Sequence, residues 1–157
     1  MIPIPAYLEN HEAVLRAFGY WPSFHDGEII TLVMDRSRIL FDRVHNARIE
    51  IVIHGWEMTN EVTDQGFFKL QKHHLIHFEF EDVRDVSLTG FNHQNAVLSL
   101  SFEELLLDVV GNHCFKVTFD PAHGIGGDFT SFRGRVLSVI PCDSEGNAAE
   151  QGAAANP

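Results

Sequence analysis

Residues 73–82 read HHLIHFEFED, and their alternation decides the fold. His74, Ile76, Phe78 and Phe80 fall on one side, and His73, Leu75, His77 and Glu79 on the other. A period of two marks a β-strand, whose successive side chains point to opposite faces. Residues 47–56, ARIEIVIHGW, repeat the pattern, with Ile49, Ile51 and Ile53 set against Arg48, Glu50, Val52 and His54. Upstream, EIITLVMDR (28–36) is almost continuously apolar and predicts a strand buried on both faces. Downstream, VRDVSLTGF (83–91) predicts a separate strand with Val86 and Leu88 inward. NAVLSLSF (95–102) places Ala96, Leu98, Leu100 and Phe102 on one face, and EELLLDVVG (103–111) either continues it or bends. CFKVTFDP (114–121) buries Phe115, Val117 and Phe119 and is expected to stop at Pro121. FTSFRGRVLSVIP (129–141) supplies the last strand.

Before the first strand the period changes. Ala13, Val14, Ala17 and Phe18 recur at helical spacing, so a short helix begins near His11 with Asn10 as its expected cap. Gly19 supplies its stop and Pro22 a second break. Asp64-Gln65-Gly66 reads as the tip of a loop between strands, and HGIGGDF (123–129) as a glycine-rich loop. The expected fold is mainly β (α+β): one curled antiparallel sheet of about seven strands with a short N-terminal helix. No βαβ alternation argues for parallel pairing. Residues 1–141 form the expected single domain, and the small, polar residues 142–157 a disordered tail. An open sheet has two edges to cover, which makes a homodimer an expectation.

Acids outnumber bases 22 to 11, for a formal net charge of −11. This disfavours nucleic acid, whose binders carry basic patches, and favours a basic protein partner. Cys114 and Cys142 lack CxxC spacing and fit a reducing cytoplasm. MIPIPAYLEN has no basic region followed by an apolar run, so no signal peptide is expected; no stretch approaches the ~20 apolar residues of a membrane span.

Ten histidines raise the question of a metal. His73 and His77 share a strand face but stand ~13 Å apart along it, too far for one zinc ion. No metal and no cofactor are expected. WPSFHDGE (21–28) offers His25 and Asp26 as a base and its orienting carboxylate, yet Ser23 lacks a nucleophile-elbow context. Its structural reading is a joint: Asp26-Gly27 turns the chain while Trp21 and Phe24 fill the gap between helix and sheet. GFNHQN (90–95) reads as a hairpin connection or a binding loop. HGIGGDF lacks the GK[ST] ending of a phosphate loop and leads into a strand.

FGYWPSFHDGEI, FEDVRDVSLTGFNHQN and CFKVTFDPAHGIGGDFTSFRGRVLSV together resemble the immunity protein 50 family of bacterial polymorphic toxin systems, over about Phe18 to Val139. The motif residues are Trp21, Pro22, Phe24, His25, Asp26, Gly90 and Asn92. The resemblance implies a cytoplasmic antidote, not an enzyme, that binds and neutralises a cognate toxin domain. It carries over no catalytic residue. Trp56, Glu57, Asp64, His93 and Asn95 are the candidate partner contacts. Two alternatives are a small hydrolase or metal-dependent enzyme using His25 and Asp26, and a β domain with a small-ligand pocket inside its sheet.

Overall fold

A computed structural model describes residues 2–39, 45–106 and 113–148. One helix, α1 (Glu12–Phe18), precedes six strands: β1 (Glu28–Ile39), β2 (His45–Val62), β3 (Phe68–Thr89), β4 (Ala96–Leu106), β5 (His113–His123) and β6 (Gly126–Pro141). All neighbours in the sheet are antiparallel, and the order β1-β2-β3-β6-β5-β4 closes on itself as a barrel. The closing seam is short. Glu28 pairs Ala96, the Ile29 N–H donates to the Asn95 carbonyl at 2.9 Å, and the Val97 N–H donates to the Gly27 carbonyl at 3.0 Å. The sheet is therefore a ring, and the two open edges on which a homodimer was expected are joined here.

Ile49, Ile51, Ile53, Ile76, Phe78 and Phe80 all face the core, as their alternation predicts. Rings from four strands fill the interior: Phe80 meets Phe102, Phe115 and Phe129 at 5.2–6.1 Å between centroids. The inside of the sheet is thus packed core, and side chains fill the space where the small-ligand alternative would need its pocket. The N-terminal segment lies against this core. The Glu9 N–H donates to the Gly134 carbonyl at 3.0 Å, and Leu8 is fully buried. Gly134 makes that approach possible, since a Cβ there would stand 2.8 Å from the Leu8 side chain and 2.6 Å from the Phe115 ring.

Several local expectations are corrected. Residues 73–82 and 83–89 belong to one strand, β3, which accounts for six strands in place of about seven. Asp82 and Asp85 adopt φ of 50° and 53°, and the pairing with β6 slips between Arg84 and Ser87. The backbone bends there without ending, and Val86 is left exposed. β1 is buried at Ile29 alone, while Ile30, Val33 and Met34 are exposed. Among the described residues no pairing beyond Glu28–Ala96 joins β1 to β4, so no described strand covers that edge of the apolar run. On β4 a register irregularity around Val97 turns Val97 inward and Leu98 outward, reversing the expected face at that position. β5 runs through Pro121 to His123; the proline sits at that same irregularity, where a missing N–H is tolerated. Asn10 does not cap α1. It lies at φ 60° and donates from Nδ2 to the Val136 carbonyl at 2.9 Å, while His11 occupies the cap position without a side-chain capping bond, its Nδ1 turned to the Leu8 carbonyl at 2.9 Å.

Residues 142–148, expected in a disordered tail, form a turn: Cys142 bridges Ala148, and the Asp143 carboxylate accepts the amides of Glu145 and Asn147, each at 2.9 Å. Residues 149–157, and residues 107–111 of the β4 continuation, lie outside the described residues. Among the described residues no helix is long and apolar enough to cross a membrane.

Candidate functional site

β2 and β3 outrun the barrel. β1 accompanies β2 only as far as the Glu28–His54 pair, and β6 accompanies β3 from His74 onward. Residues 56–72 therefore project as a two-stranded arm. Its turn closes where the Thr63 N–H donates to the Phe67 carbonyl at 2.7 Å, with Gly66 at φ 86°, as expected for a tip at Asp64-Gln65-Gly66. Met58, Val62, Phe67, Phe68 and Leu70 are 37–69% exposed along it. A two-stranded ribbon has no second layer on which to bury such side chains.

Beside the base of the arm runs the WPSFHDGE joint. α1 ends as expected at Gly19, whose N–H donates to the Leu15 carbonyl at 2.7 Å. Trp21 and Phe24 then turn inward, and Trp21 stacks edge-on against Phe24, Phe78 and Phe102 at 5.7–6.5 Å. Phe24 and Asp26 both take φ of 61°, and the Gly27 N–H donates to the Phe24 carbonyl at 2.8 Å, closing a tight turn just before β1. The expected joint is what the segment forms. Tyr20, Ser23 and His25 stay outside it, and with Pro22, Phe24, Trp56, Glu57 and Met58 they line a groove of about 140 Å³. Two sets of sequence candidates thus meet: Pro22, Phe24 and His25 of the motif, and Trp56 and Glu57 of the expected contact surface.

Glu57 is the charged centre of this groove. It accepts hydrogen bonds from Gln71, from the Tyr20 hydroxyl at 2.8 Å and from Lys72 at 3.5 Å. The Gln71 bond first, then those from Tyr20 and Lys72, hold its carboxyl below the usual range. Burial and the bond to Glu57 push the Tyr20 hydroxyl up to about 12. Trp56 also packs against His54 and His73, at 4.8 and 5.7 Å between centroids. Its indole Nε1 is buried without a hydrogen-bond acceptor.

His25 is exposed and Asp26 half-exposed, neither packed beneath Trp21. The imidazole is anchored at both nitrogens, Nδ1 to the Leu98 carbonyl at 3.1 Å and Nε2 to Asp26 at 3.5 Å. Ser23 Oγ accepts the His25 backbone amide at 3.3 Å and makes no bond with the ring. The cluster therefore pairs a base with a carboxylate but aims neither at a nucleophile.

The other candidates lie apart. Asp64 is at the arm tip. Asn95, expected as a contact, is buried: its Oδ1 accepts the Asn92 and Ile125 amides at 2.8 and 3.3 Å, and its own N–H donates to Glu28 at 2.7 Å. It fastens GFNHQN to the seam and to the β5–β6 turn. Gly90 allows this at φ 83°, since a Cβ would stand 2.6 Å from the Gly124 carbonyl. Asn92 and His93 remain exposed on the loop, with His93 facing the His123 ring at 5.8 Å.

Two features escaped the sequence reading. His54 Nε2 lies 3.0 Å from His73 Nδ1 at the arm's base, beneath the turn 142–148. Burial lowers the pKa of both imidazoles, and the neighbouring His73 adds to the effect on His54. On the barrel's outer face, Glu79 is nearly buried between Arg48 and Arg135. Burial would raise its pKa, but the Arg135 and Arg48 bonds win and hold it low. Asp35, bonded by Ser37 and then Arg48, is held at about 2. Among the described residues no three His, Cys, Asp or Glu side chains converge to hold a metal ion.

The chain matches no protein-family model, no curated protein and no solved structure.

Proposed function

We propose that this protein is a non-enzymatic binding module of the immunity type, which captures a cognate toxin domain in the cytoplasm and neutralises it through the β2–β3 arm. The observation that carries this reading is the arm itself. Met58, Val62, Phe67, Phe68 and Leu70 stand exposed together on a projection with no layer against it, and contiguous exposed apolar surface marks interaction sites. The net charge of −11 favours a basic partner and speeds its encounter. The words WPSFHD and GFNHQN add the family resemblance.

Co-expression tests it. With the toxin domain encoded beside its gene, this protein should restore growth, and a variant carrying Phe67→Ser and Phe68→Ser should fail to do so while melting at an unchanged temperature. A stably produced wild-type chain that leaves the toxin fully active removes the reading. Equal protection by the double variant removes the arm from it.

A further inference from the structure

The arm offers more than apolar side chains. Gly27 and the left-handed residues Asp26 and Phe24 turn the chain away at the Glu28–His54 pair. From Gly55 to Val62, no described strand lies along that edge of β2. The Glu61 amide donates to Thr59 Oγ1 at 3.2 Å; the remaining outward-facing backbone donors and acceptors have no neighbouring described strand and can pair with an added one. The groove walled by Tyr20, Trp56, Glu57 and Met58 opens at the head of this edge.

The chemistry of the edge selects its occupant. Residues 55–62, GWEMTNEV, hold two acids and no base, and the only cations beside them are Lys69 and Lys72 of the facing strand, 3.5 Å from Glu61 and Glu57 among the described residues. A second copy pairing here would set acids against acids on chains that each carry −11. An extended basic segment meets the opposite situation. Within the protein, Lys72 already shows how a cation fits one wall: its Nζ lies 5.7 Å from the Tyr20 ring centre and 3.5 Å from Glu57, and it donates to the Phe18 carbonyl at 2.8 Å. Trp56 and Phe24 supply the rest of the aromatic lining.

Resting on the binding-module reading above, we infer that residues 55–62 of β2 and the adjoining groove receive an extended basic segment of the partner protein as an added strand, with an arginine or lysine side chain seated beside Trp56 and Glu57. The strand supplies affinity through backbone bonds, and the groove supplies the preference for a cation.

Amide and indole resonances of the full ¹⁵N-labelled chain read this out. The probes are a blocked heptapeptide of alternating valine and arginine and the same peptide with glutamate for arginine. The arginine peptide should shift the Trp56 indole N–H and the amides of residues 55–62 saturably, and should slow their hydrogen exchange. Glu57→Gln should weaken its binding about tenfold, or by ~1.4 kcal/mol, and Trp56→Phe should weaken it too, with both variants checked by thermal melting. Met34→Ala, on the exposed part of β1, should bind as wild type. Equal binding of the glutamate peptide, shifts centred on β1, or no shift at all overturns the inference. Growth rescue without any peptide shift overturns it and leaves the binding-module reading standing. Peptide shifts without rescue overturn that reading and leave the seat.

Discussion

The same two strands build the most buried and the most exposed parts of this molecule. On β2, Ile49, Ile51 and Ile53 are sealed in the barrel, while Met58 and Val62, a few residues on, are 45% and 61% exposed. On β3, Phe78 is fully buried and Phe68 is 54% exposed. The residue types barely differ. What differs is the number of neighbours: in the barrel each strand has one on either side and side chains from across the ring beneath it, whereas in the arm it has one neighbour and solvent. Apolar side chains contribute to stability only where another layer removes them from water. Those in the arm remain available to a partner.

The sharpest way to break this contrast is to remove a ring from the barrel. Phe78→Ala deletes a fully buried side chain touching Trp21, Phe24, Phe80 and Phe102, and should lower stability by about 3–5 kcal/mol in chemical denaturation. A loss under ~1 kcal/mol would mean that the interior is as loosely held as the arm. Second in size is Asn95→Ala, which strands the buried Ile125 amide and undoes the loop at the seam. It should cost about 1–3 kcal/mol and raise hydrogen exchange at residues 27–29 and 95–97 before it affects β3. Uniform exchange across the barrel would show that the seam is not its weak point.

Acid probes the joint between the two regions. His54 and His73 titrate below the ordinary histidine value of ~6.5, because burial disfavours their charged forms. The unfolded chain therefore takes up protons that the folded chain refuses. Stability from these residues is complete above pH ~6.5 and falls as pH drops. Asp35 and Glu79 act in a lower window: their contribution is present above the free carboxylate range of ~4 and is lost as pH approaches about 2, where Asp35 titrates. Melting temperature should thus decline in two stages, the first reduced in His54→Gln. A single decline below pH 4 would assign the joint no part in it. The smallest expected effect is Phe68→Ser on the arm, within ~0.5 kcal/mol of wild type. A larger loss would show that the arm's apolar side chains hold the fold together.

Legibility in the sequence follows the same division. Alternation reports which face of a strand is buried, so Ile49–Ile53 and Ile76–Phe80 were readable in advance. Alternation does not report how many neighbours a strand has. EIITLVMDR looked buried on both faces, yet Ile30, Val33 and Met34 lie beyond the seam. Backbone irregularities were equally silent: nothing in the apolar pattern announces that Asp82 and Asp85 adopt positive φ and carry one strand past a bend. Most of the groove is visible in the sequence, since Trp56, Glu57, Pro22, Phe24 and His25 stand out there as candidates. Tyr20 and Met58 do not, because their place depends on how the joint lies against the arm. Phe67-Phe68, beside the polar turn Asp64-Gln65-Gly66, was the available sign of an exposed apolar tip.

The seam between Glu28 and Ala96 also sets the order in which the protein is built. Its partners stand at opposite ends of β1–β3, so the ring cannot close until the arm and both long strands have been made. A hairpin such as the arm forms in ~1–10 μs, whereas β-topologies dominated by distant pairings fold in about milliseconds to seconds. A chain emerging from the ribosome would then display its apolar arm before β4, β5 and β6 exist to complete the body behind it.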